Sequence, residues 1–144
     1  MNRTLLAGGR VIDPANGIDR VTNLLLENGK VAALDVAPAG DLQIIDATNK
    51  IVAPGLIDLH TQLREPGLEE DETIHSGTAA AIAGGFTSIC CSPETEPPID
   101  TPAAVSFVKE MARRAGNCHV FPIACVSRNR EGEQLAEIGS LFEA

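Results

Sequence analysis

His60, Gln62 and Arg64 are the residues whose types and spacing are best suited to chemistry. They follow an apolar run (Ile51, Val52, Leu56, Ile57, Leu59) and precede a Pro66-Gly67 turn. A strand that buries apolar residues and then presents a histidine and an arginine behaves like a barrel strand at its C-terminal mouth, where active sites gather. Strand residues two apart point to the same side, so an imidazole at position 62 would join His60 in a two-nitrogen grip on a metal ion. Such a metal lowers the pKa of its bound water and makes hydroxide near neutral pH. The side chain at 62 is an amide. Arg64 offers a planar fork suited to a substrate carboxylate or, equally, to a loop-fixing ion pair. Asp58 sits on the His60 face one layer deeper, where it either orients a ligand or is hydrogen-bonded for structure.

Other reactive side chains are less well placed. His75 falls within a helical stretch, and His119 opens a strand, the wrong end for the mouth. The acids Glu69-Glu-Asp-Glu72 either bind a cation or mark a helix start, where the positive end of the helix dipole favours negative charge. The sequence favours the helix start. Cys90-Cys91 is vicinal, and with Cys118 and Cys125 it makes neither a C-x-x-C nor a zinc-ribbon pattern. The expectation is reduced cysteines used as small core residues. No Ser/His/Asp order or phosphate loop is present, and Gly84-Gly85 precedes a strand, the wrong context for phosphate.

The elements that must position these residues come in two styles. Residues 1–50 read as short β-segments of a small antiparallel layer: Thr4–Ala7, a break at Gly8-Gly9, Arg10–Asp13, Val21–Leu26, a tight turn at Asn28-Gly29, Lys30–Leu34 and Leu42–Ile45. From Ile51 the rhythm becomes strand, loop, helix. Helices are expected over Thr73–Ala83, after Thr101-Pro102 with Val105, Val108, Met111, Ala112 and Ala115 on one face, and from Glu131 with Leu135, Ile138 and Phe142 on one face. Strands are expected at Phe86–Cys91 and Cys118–Val126. Three strand-helix units imply a parallel α/β sheet. A complete eightfold barrel needs about 250 residues, so residues 51–144 are expected to be its first three units and the chain the N-terminal portion of something larger.

Composition narrows the function. The 144 residues carry a formal charge of −9, with no Trp or Tyr and four Phe, so the core must be aliphatic. No stretch concentrates Lys and Arg, which argues against nucleic acid and anionic membrane as partners. No apolar run reaches the roughly 20 residues a spanning helix requires, and the N-terminus lacks the regions of a secretory signal. A cytoplasmic location is expected.

Several linked motifs together resemble one family. Pro54-Gly-Leu-Ile-Asp-Leu-His-Thr-Gln-Leu-Arg-Glu-Pro-Gly67 is similar to the signature of the dihydroorotases of the amidohydrolase superfamily. The likeness continues through Glu72-Thr-Ile, Ala83-Gly-Gly-Phe-Thr-Ser88, the Pro93–Thr101 loop and Glu131-Gly-Glu-Gln-Leu135. It implies a (β/α)8 barrel with a small β-sandwich built from both chain ends, zinc as the cofactor, and interconversion of carbamoyl aspartate and dihydroorotate. By this resemblance His60 is the first histidine of a His-x-His metal pair, with Gln62 in the second place. Arg64 holds the substrate carboxylate, and Glu94 stands at a substrate-binding asparagine. The pattern is similar to inactive dihydroorotase-like subunits that scaffold aspartate transcarbamoylase. The resemblance therefore implies a protein of pyrimidine biosynthesis that has the transcarbamoylase as partner, with no catalytic residue in this stretch and no zinc bound by it. An active zinc-dependent dihydroorotase is the alternative, and homo-oligomerisation stays open.

Overall fold

The computed structural model describes residues 3–144. The chain divides into two compact units, Met1–Pro54 and Gly55–Ala144.

The first unit is a five-stranded sheet. Its central strand β1 (Arg3–Asp13) pairs antiparallel with β2 (Ile18–Glu27), which pairs antiparallel with β3 (Lys30–Leu34). Asn28 and Gly29 reverse the chain between them with φ of 51° and 77°, the left-handed conformations that a two-residue hairpin needs. Two further strands, β4 (Gln43–Asp46) and β5 (Ile51–Val52), pair with β1 in parallel. The expected wholly antiparallel layer is corrected here. β3 runs the same way as β1, and residues 35–42 carry the chain back across the sheet, so the next strand must also run parallel to β1. Gly8-Gly9 is not a break either. Ala7 and Gly8 oppose the single Asn23, a β-bulge, with Gly8 at φ 73° and its N–H donated to Asn23 Oδ1 at 2.8 Å. Ile51–Val52 belong to this sheet and do not open the barrel strand, because Pro54 has no N–H with which to continue the ladder.

In the second unit β6 (Leu56–Thr61), β7 (Phe86–Cys91) and β8 (His119–Pro122) pair in parallel in chain order. The crossovers are α1 (Ile74–Ala83) and α2 (Pro102–Ala115). Thr73 and Ser76 form a reciprocal cap on α1, while Thr101 and Pro102 start α2 and a left-handed Gly116 ends it. Ile89 and Cys91 from β7, Val105, Val108 and Ala112 from α2, and Leu63, Ile74 and Ile99 form one buried cluster. This α/β arrangement is consistent with part of a β/α barrel, and no closed barrel is present among the described residues.

Three expectations fail in this unit. The third strand ends at Pro122: Ile123 donates its N–H to the carbonyl of Cys91 at the end of β7, and Cys125 then donates to the loop carbonyl of Ile99. The last helix, α3, spans only Ile138–Glu143. Asn129, Arg130 and Gly132 all hold positive φ, which no helix from Glu131 could follow, and Leu135 bridges to Ser127. The buried face is therefore Ala136 and Leu141, and Phe142 is 91% exposed. Finally, the apolar run of β6 is not buried: Leu56, Ile57 and Leu59 are exposed.

Candidate site at the strand ends

The loops that follow the three parallel strands carry the polar side chains of interest. Beyond β6, Leu63 is only 1% exposed and anchors its loop in the core, which leaves Gln62 and Arg64 on the outer side. Beyond β7, Ser92 donates its N–H to the Thr61 carbonyl at 2.8 Å, extending the ladder to the loop that holds Glu94. Gly67, at φ 95°, packs so tightly on Glu96 that a Cβ would overlap the Glu96 carbonyl oxygen. Beyond β8, Cys125 donates its N–H to the Ile99 carbonyl at 2.7 Å, and the chain turns at Arg128–Arg130.

Four side chains from these loops join in one polar chain. Arg64 Nη2 donates to Gln62 Oε1 at 2.8 Å. Gln62 Nε2 donates to Glu94 Oε2 at 2.6 Å, and Arg130 Nη2 donates to Glu94 Oε1 at 2.8 Å. Arginine is donor-only and an ionised carboxylate acceptor-only, so just one orientation of the Gln62 amide satisfies both neighbours. Each end of that amide is thus committed, and each Glu94 oxygen has a partner.

His60 is exposed at the end of β6, and its backbone N–H donates to Asp58 Oδ1 at 3.0 Å. Asp58 is thereby engaged with backbone. His75 lies exposed on α1 and His119 at the N-terminal end of β8, so neither joins His60. Among the described residues no three His, Cys, Asp or Glu side chains gather as metal ligands. Among the described residues the mouth offers a metal one imidazole, His60, beside an amide whose oxygen accepts from a guanidinium.

The acids at 69–72 do not sit in the first turn of α1. Glu69 accepts the Gly67 N–H at 2.7 Å, and the carboxylate at the helix start belongs to buried Glu65, which accepts the Ile74 N–H at 2.7 Å. Sequence reasoning missed Glu65, and it missed Arg130, which lies between the expected third strand and third helix. The cysteines are unpaired, with Cys91 and Cys125 buried. Burial pushes both thiols up, away from the reactive thiolate.

A parallel sheet with polar side chains gathered at its C-terminal strand ends is the arrangement found at the mouth of a β/α barrel. The dihydro-orotase-like family model matches residues 49–144, and the chain belongs to that family. It is 52% identical to a putative dihydroorotase of Rhodopirellula baltica over 100% of this chain and 33% of the relative. It is also 51% identical to a dihydroorotase of Pelobacter propionicus, over 97% of this chain and 34% of the relative, and 47% identical to a dihydroorotase-like protein of Pseudomonas putida, over 94% and 32%. The chain thus spans about a third of the length of these relatives. Among solved structures it resembles a dihydropyrimidinase from Brevibacillus agri, with a TM-score of 0.69 and 28% identity over 88% of this chain and 28% of that one. An L-hydantoinase from Arthrobacter aurescens gives a TM-score of 0.66 and 28% identity over 78% and 25%.

Proposed function

We propose that this chain is the N-terminal part of a non-catalytic dihydroorotase-like protein of pyrimidine biosynthesis that scaffolds aspartate transcarbamoylase. The observation that carries the reading is the commitment of both ends of the Gln62 amide, to Arg64 and to Glu94. An imidazole offers zinc a nitrogen ligand that an amide oxygen replaces poorly, and here that oxygen also faces the positive charge of Arg64. Arg64 is engaged by Gln62, and Glu94 brings a carboxylate to the place where an anionic substrate would have to sit. The retained strand-helix framework supports a structural role for the barrel.

The alternative is an active zinc-dependent dihydroorotase, which His60, still exposed at the strand end, favours. Full-length protein should purify without stoichiometric zinc, fail to hydrolyse dihydroorotate, and co-purify with aspartate transcarbamoylase. Zinc at one equivalent together with hydrolysis would establish the enzyme and sink the scaffold. A metal-free, inactive protein that does not associate with the transcarbamoylase would remove the partner alone.

A further inference from the structure

We infer that Gln62 and Arg130 form a carboxylate socket, filled in cis by Glu94, which keeps small acids out of the strand-end mouth. The two Glu94 oxygens each receive one donor, Gln62 Nε2 at 2.6 Å and Arg130 Nη2 at 2.8 Å. These donors reach in from different loops, 32 and 36 residues away in sequence. Two N–H groups, one of them cationic, converging on the two oxygens of one carboxyl group is the arrangement by which proteins recognise a free carboxylate. The amide is fixed in the donating orientation because Arg64 Nη2 holds its oxygen at 2.8 Å. Arg64 thus acts as a positioning residue for the socket, with Glu94 as its occupant.

The ligand class follows from the contacts: a monocarboxylate small enough to fit where the Glu94 carboxyl group lies. In the intact protein that position is filled by a carboxylate of the same chain, with which a free acid must compete. Removing the Glu94 side chain beyond Cβ should leave the donors aimed at a vacant position that acetate can enter. The inference rests on the non-catalytic reading in one respect, that no metal occupies this mouth.

The test is chemical rescue in the full-length protein. Wild type, Glu94→Ala and the Glu94→Ala/Arg130→Ala pair are unfolded thermally in sodium acetate and in sodium chloride at equal ionic strength and pH. Glu94→Ala should melt below wild type in chloride and recover part of the loss in acetate, because a ligand bound only to the folded state raises its stability by mass action. Wild type and the double variant should melt alike in the two salts. Equal midpoints for Glu94→Ala in acetate and chloride would overturn the socket, and so would an equal acetate response in the double variant. If Glu94→Ala is recovered only as aggregate, refolding yield becomes the measurement: a higher yield in acetate supports the socket, and equal yields overturn it. Zinc content and dihydroorotate hydrolysis of the wild type decide the non-catalytic reading separately, so failure of one is not failure of the other.

Discussion

At Gln62 the carboxamide oxygen meets a guanidinium and the nitrogen meets a carboxylate, so the residue is legible in part from sequence and in part only from its neighbours. Its departure from a His-x-His pattern is visible in the order of residues alone. So is the acidic side chain at 94, but there it reads as an uncompensated charge. Arg130 changes that, and nothing in the sequence says that a loop 36 residues downstream returns to Glu94. Glu65 was hidden for a similar reason: its carboxylate serves a helix start nine residues on, whereas local patterning points to the acids adjoining the helix. Replacing Glu65 with Ala should cost about 1–3 kcal/mol, the cost of leaving a buried N–H without a partner, read from the denaturant midpoint. Gly67→Ala should destabilise by more than an ordinary surface change, about 2–4 kcal/mol, since it combines a positive φ with overlap on the Glu96 carbonyl. A melting temperature equal to wild type for either variant would contradict the packing described.

At the scale of elements, the helices with strong termini were readable and the one without was not. Thr101-Pro102 and Gly116 bound α2 where the sequence places them, because caps and φ preferences act locally. Thr101→Ala removes the acceptor for the Ala104 N–H at 3.3 Å and should cost about 1 kcal/mol, measured by denaturant unfolding. By contrast, α3 has no side-chain cap, and its apolar spacing suggested a face that the turn at Asn129-Arg130 rotates out to solvent. The far end of α2 carries a pH signal. Arg113 and Arg114 hold the Glu110 carboxyl down at about 2, against an ordinary value of 4.5. A depressed carboxyl contributes stability above its unfolded pKa and loses it as pH falls toward the folded one. Glu110→Gln should therefore flatten the stability profile between about pH 4.5 and pH 2. The effect should be small, because the pair is solvent-exposed, and a Glu110 carboxyl that titrates by NMR at its ordinary value would refute it.

Considered as a whole molecule, the chain holds two units of different character, Met1–Pro54 and Gly55–Ala144. What the sequence hides is the sorting of short apolar segments, as Ile51–Val52 shows by joining the first sheet. The second unit leaves Leu59 72% exposed on β6, Phe121 55% exposed on β8 and Phe142 91% exposed on α3. Apolar side chains left this open are available to pack against further protein surface. The 144-residue chain produced alone should bind a hydrophobic dye and self-associate with rising concentration in sedimentation, and a dye-silent monomer would be the contrary result.

The lacing of Gln62, Glu94 and Arg130 also has a consequence for inheritance. An imidazole at 62 gives Glu94 a different neighbour, a neutral residue at 94 leaves Arg130 with no counter-charge, and loss of Arg130 strands the carboxylate. The three positions therefore constrain one another's replacements. Across lineages they should be exchanged as a set, with single-step hybrids rare and short-lived.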